Sequence, residues 1–193
     1  MSHFFAYISR LRWIRRWGLM RNAIEENVAT HSWEVATLAH VLAIIRNRYF
    51  GGQVNVDRIA AAALYHDATE VITGDLPTPV KYHSRVMREA FGDIEQKAEV
   101  ELLALLPEDL RADFAPYIRE SQWSGEEQEL IKAADRLSAL LKCQAEIRAG
   151  NKEFEPAAGH ILARLEADGL PEVRYFLEVF APGYQQPLDN LLG

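Results

Sequence analysis

The 193-residue sequence has a single cysteine and no long apolar run, and each shortage excludes a class of protein. Cys143 has no partner for an intramolecular disulfide, so we expect a reducing compartment, the cytoplasm. No apolar stretch approaches the roughly 18 to 20 residues that cross a bilayer, and no signal peptide is evident. The sequence therefore predicts a cytoplasmic protein without a membrane partner.

Basic residues are also in short supply. The chain has 21 Lys and Arg against 28 Asp and Glu, a net charge of −7 and a pI near 5.4. This balance argues against binding to a nucleic acid polymer, whose phosphates need a basic surface. A small anionic substrate would need locally placed cations. With 49% apolar and 25% charged residues, the chain fits one globular domain covering residues 1–193.

Strand patterns, hairpin turns and internal repeats are absent, whereas apolar residues recur at helical spacing, so we predict an all-α, single-domain helical bundle. A Ser124–Glu127 capping box marks one helix start. We expect an irregular tail from about residue 182. The predicted helices cover residues 3–17, 31–49, from a cap at Asn55 or Asp57 to 70, 84–106, 108–120 with a break at Pro116, 124–149, 156–167 and 171–180.

The most informative stretch is the Ala-rich run that ends in His66 and Asp67. Residues 59–65 are apolar around a whole helix circumference, which predicts a helix buried on all sides. Glu70 would then lie one turn beyond His66, on the same face. Buried polar groups need partners, so a metal, a hydrogen-bond network or a water-lined cleft is expected here. The alternative is a histidine paired with a backbone carbonyl and carboxylates in a solvated last turn.

Other candidate residues are ambiguous on periodicity alone. His31 lies in the first turn of its helix, where histidines are commonly exposed or capping. Asp135 lies off the apolar stripe of helix 124–149, which favours a surface carboxylate. Together with His66 and Asp67, however, they would form a mixed nitrogen and oxygen site. Such a site suits Mn, Co, Fe or Zn better than Mg or Ca.

Two further segments could form walls of a pocket. Arg16 and Trp17 end a basic amphipathic helix beside a loop, where they can offer a cation and an aromatic face. The alternatives are a helix that binds an acidic membrane surface and a tryptophan that anchors the core. Residues 73–79 contain a glycine and two prolines, so they form a stiff loop just after the polar cluster, either a pocket wall or a simple connector.

The order His31, then His66-Asp67, then Asp135, each on its own helix, resembles the HD-domain metal-dependent phosphohydrolase superfamily. Longer strings resemble its bacterial 5'-deoxynucleotidase family, the YfbR type, over most of the chain. They are His3-Phe4-Phe5, Arg16-Trp17, Leu19-Met20-Arg21-Asn22, Glu26-Asn27-Val28, His31-Ser32, Tyr65-His66-Asp67-Ala68, Glu70-Val71, Thr73-Gly74-Asp75-Leu76-Pro77-Thr78-Pro79-Val80-Lys81, Lys132-Ala133-Ala134-Asp135 and Leu141-Lys142-Cys143.

The resemblance implies hydrolysis of deoxyribonucleoside 5'-monophosphates to nucleoside and phosphate by a cytoplasmic homodimer. It also implies one divalent ion, Co²⁺ or Mn²⁺, with Zn²⁺, Fe²⁺ or Cu²⁺ as alternatives. The implied metal ligands are His31, His66, Asp67 and Asp135. Glu70 would be a general acid or base acting on the water or on the leaving oxygen.

The same resemblance suggests how the nucleotide is bound. Arg16 would grip and orient the phosphate, and Trp17 would face the sugar or base and exclude a 2'-hydroxyl. Asp75 would accept a hydrogen bond from the 3'-hydroxyl. The remaining substrate contacts that it implies are Leu76, Pro77, Thr78 and the ligands His31, Asp67 and Asp135.

Two other functions fit the same residues. A phosphodiesterase or triphosphohydrolase would need more cations than Arg16, Arg21 and Lys81 supply. A nucleotide sensor would bind without turnover, and degenerate ligands would favour it, but none is degenerate. Departures from the family pattern, such as Gly18 and Thr69, touch no expected ligand; the C-terminal third matches least well and leaves the base preference open.

Overall fold

The computed structural model describes residues 1–81 and 83–191, which contain eleven α-helices and no strand, as the all-α expectation requires. The helices are α1 (Phe4–Ile8), α2 (Val28–Tyr49), α3 (Val56–Leu64), α4 (Glu70–Thr73), α5 (Thr78–Lys81), α6 (Arg85–Ala104), α7 (Arg111–Ile118), α8 (Gly125–Arg148), α9 (Glu155–Asp168), α10 (Pro171–Val179) and α11 (Leu188–Leu191).

The main core lies where α2 packs against α3, α8 and α10. Helix α2 begins at Val28, three residues before the expected start, because Asn27 and Thr30 form a capping box. Helix α8 begins at the predicted Ser124–Glu127 capping box. The predicted stripe of α8 is buried, and truncating one of its leucines to alanine would cost about 2–5 kcal/mol. That stripe is Leu130, Ala133, Ala134, Leu137, Leu140 and Leu141.

A second apolar cluster joins the N-terminus to α6 and α7 around the buried ring of Phe4. The predicted helix over residues 3–17 is wrong in length: α1 ends at Ile8 and a 3₁₀ turn, Ser9–Trp13, follows. Arg15 then pairs with Asn27 in an isolated antiparallel bridge. This bridge places Arg16 and Trp17 beside the start of α2, where the site lies.

The prediction of one helix up to Glu70 is also wrong. Helix α3 ends at Leu64, which is 44% exposed, so the Ala-rich run is not buried on all sides. The buried face consists of Ile59, Ala62 and Ala63 only. His66 and Asp67 lie on a turn between α3 and α4, which starts at Glu70.

Two smaller expectations also need correction. Pro116 lies inside α7 instead of breaking it. The tail, expected to be irregular, contains a 3₁₀ turn at Ala181–Gln185 and the short helix α11, while residues 192 and 193 lie outside the described residues.

Helix α2 is long and apolar enough to cross a membrane by length and composition alone, contrary to the expectation that no such run exists. Half of its apolar window is buried inside the protein, against α3 and α8. A core helix of a folded domain passes the same test, and the buried side chains of α2 include the polar His31 and Ser32.

Candidate active site

The turn after α3 orients His66. Its ring Nδ1 lies 2.8 Å from the carbonyl oxygen of Ala63. Because a carbonyl only accepts, Nδ1–H donates to it. Nε2 is buried, has no hydrogen-bond partner among the described residues, and lies 3.1 Å from Oδ2 of Asp67. The alternative of a histidine paired with a backbone carbonyl therefore holds for Nδ1 of His66, whereas Nε2 points towards Asp67.

His31 is held in the same way from α2. It is 1% exposed, and its Nδ1 lies 3.1 Å from Oγ of Ser138 on α8. The Ser138 hydroxyl donates to Glu34 at 2.5 Å, so its oxygen is available to accept from Nδ1–H. The buried Nε2 of His31 also lacks a hydrogen-bond partner in the part of the chain that the structure describes. Helix packing, not an exposed helix start, determines the position of this ring.

Asp67 and Asp135 complete the cluster. Nε2 of His31 lies 3.5 Å from Oδ2 of Asp67 and 3.1 Å from Oδ1 of Asp135. Ligand atoms of His31, His66 and Asp67 all lie within 4.8 Å of one another. The side chain of Asp135 is 43% exposed and projects from α8 towards His31. It is therefore partly solvated, as periodicity predicts, and also part of the cluster.

His31, His66 and Asp67 form a group that fits a divalent ion, and Asp135 adjoins this group through its contact with His31. Nitrogen and oxygen atoms about 2.0–2.2 Å from one ion stand roughly 3 Å apart, close to the separations seen here. Both unpartnered imidazole nitrogens face the same carboxylate. Burial lowers the pKa of His31, but the adjacent carboxylates of Asp135 and Glu26 outweigh burial and raise that pKa to about 9.

Arg16 is the cation closest to these carboxylates. Its Nη1 lies 3.3 Å from Oδ2 of Asp67, and its Nε lies 3.0 Å from Oε1 of Glu26. Burial lowers the pKa of Arg16, but the surrounding acids outweigh it and raise the pKa. A buried guanidinium at the edge of a metal cluster can hold a phosphate whose other oxygen binds the ion.

Glu70 is the most perturbed carboxyl group in the site. Burial, and then the negative charges of Asp67 and Asp75, raise its pKa to about 10. Its Oε2 is buried and has no hydrogen-bond partner within residues 1–81 and 83–191. Asp67 behaves oppositely: burial disfavours its charge, but His66, His31 and Arg16 hold its pKa well below the usual range. A carboxyl group that keeps its proton beside one that loses it is a common arrangement in acid catalysis.

The loop after α4 returns to the Arg16–Trp17 segment. Burial raises the pKa of Asp75, followed by opposing effects of Arg16 and Asp67, while a hydrogen bond from the Trp17 backbone lowers it. Leu76 and Pro77 are half-buried, and Thr78 is exposed at the start of α5. The loop therefore lies beside the polar cluster, which favours the pocket wall over the simple connector.

For Trp17 the sequence left two roles open, an aromatic face of a pocket and an anchor in the core, and its position is compatible with both. Its ring packs against the buried Phe154 with centroids 5.3 Å apart, and the residue remains half-buried. Its indole N–H donates to Oε2 of Glu26 at 3.1 Å. Glu26, Glu34 and Ser138 were not predicted from the sequence as residues near His31. Glu26 had a signal, since it belongs to a string on which the family resemblance depends.

Comparison with known proteins assigns this chain to one family. The family model described as "5'-deoxynucleotidase YfbR-like" matches residues 3–184. A 5'-deoxynucleotidase YfbR of Shigella boydii is 52% identical over 190 residues, covering 98% of this chain and 96% of the relative. A 5'-deoxynucleotidase of Pasteurella multocida is 48% identical over 191 residues, covering 99% of this chain and 98% of the relative.

Solved structures agree with the fold. An HD-domain phosphohydrolase of Listeria innocua matches with a TM-score of 0.82 and 26% identity, covering 94% of this chain and 88% of that one. The HD phosphohydrolase of cyanophage S-2L, solved with dA and one catalytic Zn²⁺ ion, matches with a TM-score of 0.67 and 20% identity. That match covers 92% of this chain and 96% of the phage chain. At this identity the phage protein shows only the shared fold.

Proposed function

This chain belongs to the YfbR-like 5'-deoxynucleotidase family of HD-domain phosphohydrolases, and we propose how its residues hydrolyse deoxyribonucleoside 5'-monophosphates. As a member of this family it is a metal-binding phosphoric monoester hydrolase. The observation that carries the residue assignments is the convergence of two unpartnered imidazole nitrogens on the Asp67 carboxylate. Residue roles, the identity of the ion, oligomeric state and compartment are proposals.

We propose that His31, His66, Asp67 and Asp135 hold one divalent ion, Co²⁺ or Mn²⁺. The chemistry of mixed imidazole and carboxylate ligands supports a transition metal, with Zn²⁺, Fe²⁺ and Cu²⁺ as alternatives. When bound, such an ion lowers the pKa of a water and neutralises charge on a phosphate oxygen. His31, Asp67 and Asp135 would thereby also contact the nucleotide phosphate. The HD phosphohydrolase of cyanophage S-2L, which shares this fold, is named with one catalytic Zn²⁺ ion.

Arg16 binds and orients the phosphate in this proposal. The acidic side chains of Glu26, Asp67 and Asp135 surround it, and a phosphate dianion entering that field needs a positive partner of its own. A guanidinium holds two phosphate oxygens at fixed geometry, which aligns the phosphorus for in-line attack. The contacts of Arg16 to Glu26 and Asp67 fix its orientation before the substrate arrives.

Glu70 donates a proton to the leaving 5'-oxygen in this proposal. Its raised pKa favours the protonated carboxyl group over the carboxylate, so a role as acid is supported more strongly than a role as base. The unpartnered Oε2 is the atom that would carry the proton. The deoxynucleoside then leaves as an alcohol rather than as an alkoxide.

The nucleoside binds between Trp17 and the loop of Asp75 in this proposal. Asp75 accepts a hydrogen bond from the 3'-hydroxyl, and Leu76, Pro77 and Thr78 complete that wall. Trp17 covers the sugar, so a ribonucleotide is refused because its 2'-hydroxyl collides with the indole side of the pocket. The hydrogen bond from the Trp17 backbone to Asp75 supports placing Trp17 and the Asp75 loop beside the same part of the site.

We further propose that the enzyme is a cytoplasmic homodimer. The compartment rests on Cys143, the single cysteine of the sequence, which has no partner for an intramolecular disulfide. The dimer rests on the family resemblance alone. Light scattering on the purified protein tests the dimer directly.

A substrate panel tests the reaction. Phosphate release is measured with the metal-loaded protein on dAMP, AMP, dATP and a cyclic dinucleotide. Release from dAMP alone is expected. Release from dATP or the cyclic dinucleotide would identify a triphosphohydrolase or phosphodiesterase instead, and tight dAMP binding without any release would identify a sensor.

A further inference from the structure

One carboxylate outside the expected metal ligands touches three separate parts of the site. Oε1 of Glu26 lies 3.0 Å from Nε of Arg16 and 3.3 Å from Nδ1 of His31. Oε2 of Glu26 accepts the indole N–H of Trp17 at 3.1 Å. The side chain is largely buried, so solvent screens these contacts little. A metal ligand, the phosphate-binding arginine and the nucleoside-binding tryptophan therefore share one partner.

The backbone of Glu26 reinforces this arrangement. Its carbonyl oxygen accepts the amide of Arg16 at 3.0 Å, within the short bridge between residues 14–16 and 26–28. The next residue, Trp17, has a φ of 59°, the one positive φ at a non-glycine residue in the described ranges. A bulky residue in this conformation is strained and persists only where its surroundings enforce it. Glu26 and Phe154 supply those surroundings.

The loop that carries Glu26 is itself fixed to α8. Buried Glu146 accepts the backbone amides of Ala23 and Ile24, both at 2.9 Å. Lys142 donates to the carbonyl oxygen of Ile24 and to Glu146. Removing one partner of such a buried pair is strongly destabilising, because the remaining charge is left buried and uncompensated. The loop therefore holds the Glu26 carboxylate in a fixed position. A group that determines the positions of other side chains must itself be fixed in this way.

We propose that Glu26 is a positioning residue that sets the distance between the metal ion and the nucleotide by holding His31, Arg16 and Trp17 together. This proposal rests on the function proposed above. Glu26 fixes the His31 ring so that Nε2 faces Asp67 and Asp135, and it fixes the Arg16 and Trp17 side chains that take the phosphate and the sugar. Outer partners of metal-binding histidines commonly change metal affinity by about 10–100-fold.

The test is Glu26→Gln, which keeps the shape but removes the charge. Glu25→Gln is the matched control, because Glu25 is 72% exposed and pairs only with the 74% exposed Arg15 among the described ion pairs. We expect Glu26→Gln to weaken Mn²⁺ binding about tenfold or more in calorimetric titration without nucleotide. We also expect the KM for dAMP to rise about tenfold, while kcat at saturating Mn²⁺ falls less than KM rises.

A double-mutant cycle separates positioning from a merely structural role. Trp17→Phe keeps a ring against Phe154 but lacks the N–H that binds Glu26. If Glu26 acts on the nucleotide partly through that bond, Glu26→Gln raises KM less in the Trp17→Phe background than in the wild type. Equal effects in both backgrounds would show that Glu26 does not act through Trp17.

The proposal is overturned if folded Glu26→Gln matches Glu25→Gln in both Mn²⁺ affinity and KM. Should Glu26→Gln fail to fold, Glu26→Asp carries the test, because the shorter carboxylate cannot reach all three partners and the same changes are expected. The Mn²⁺ titration needs no turnover. If the wild type fails to hydrolyse dAMP, the proposed function is rejected, while weaker Mn²⁺ binding by Glu26→Gln than by Glu25→Gln still supports the role of Glu26 towards His31.

Discussion

Oδ1 of Asp135 lies 3.1 Å from Nε2 of His31, although the two residues belong to different helices and are more than 100 residues apart. The contact explains why a residue off the apolar stripe of α8 can still serve the site. Helices α2 and α8 pack closely, so a carboxylate at the edge of their interface reaches the first turn of α2. Asp135 lies between core and solvent, where a metal ligand and a substrate can both be approached.

Asp135→Asn should weaken metal binding. The amide keeps the shape of the side chain but lacks the negative charge that a divalent ion requires, so we expect affinity for Mn²⁺ to fall about tenfold or more. Calorimetric titration of Mn²⁺ measures the change. Asp93→Asn on the exposed side of α6 is the control and should bind like the wild type. Unchanged affinity in Asp135→Asn would remove this residue from the ligand set.

Glu70→Ala tests the acid role through the leaving group. A missing general acid costs about 10²–10⁴-fold in kcat on dAMP, whose alkoxide leaves poorly. p-Nitrophenyl phosphate needs little protonation of its leaving oxygen, so its hydrolysis should fall much less. Steady-state rates on both substrates show whether Glu70 protonates the leaving oxygen. Equal losses on the two substrates would assign Glu70 to the attacking water instead.

Trp17→Ala should relax the exclusion of ribonucleotides. Removing the indole opens the side of the pocket where the 2'-hydroxyl would collide, so the ratio of kcat/KM for dAMP over AMP should fall about tenfold or more, in line with the 1–3 kcal/mol of one steric contact. Paired assays on dAMP and AMP measure this ratio. An unchanged ratio would show that discrimination arises elsewhere in the pocket.

Glu146 should make the fold sensitive to acid. Burial raises its pKa, but bonds from Lys142, Asn151 and the Ala23 and Ile24 amides outweigh burial and lower the pKa to about 2 from an ordinary 4.5. At about 1.4 kcal/mol per unit, this carboxylate adds about 3 kcal/mol of stability. Since the folded pKa is the lower one, that stability is present above pH 4.5 and is lost as the pH falls towards 2.

Denaturant unfolding of Glu146→Gln at several pH values measures this contribution. At pH 7 the variant should lose about 3 kcal/mol relative to the wild type, and the difference should shrink between pH 4.5 and 2. Glu166→Gln on the exposed side of α9 is the control and should lose little. A loss in Glu146→Gln that is constant down to pH 2 would contradict the ionic origin of the stability.

Local signals predicted much of the fold. The Ser124–Glu127 capping box and the leucine stripe of α8 are encoded in neighbouring residues, so their positions followed from the sequence. The start of α2 at Val28 was missed, because its Asn27–Thr30 capping box uses threonine in place of the usual glutamate or glutamine. The end of α3 at Leu64 was missed because an alanine run has no signal that stops a helix.

In the candidate site, too, features that depend on neighbouring residues were predicted, and features that depend on helix packing were missed. His66, Asp67 and Glu70 lie close together in the sequence, so their proximity was predicted, but the assumed helical spacing was wrong because a turn separates α3 from α4. The meeting of His31 with Asp135 depends on the packing of α2 against α8, which no local pattern encodes; only the family resemblance indicated it. Glu26 was missed as a site residue because its contacts depend on the bridge between Arg15 and Asn27.

Restoration of activity after chelation tests the central claim, that one ion held by His31, His66, Asp67 and Asp135 is required for hydrolysis of dAMP. Phosphate release is followed while Mn²⁺ or Co²⁺ is added to chelated, dialysed protein. The account predicts no release before addition and full release at one equivalent of metal per chain. Release that survives chelation, or that needs two equivalents, would contradict it.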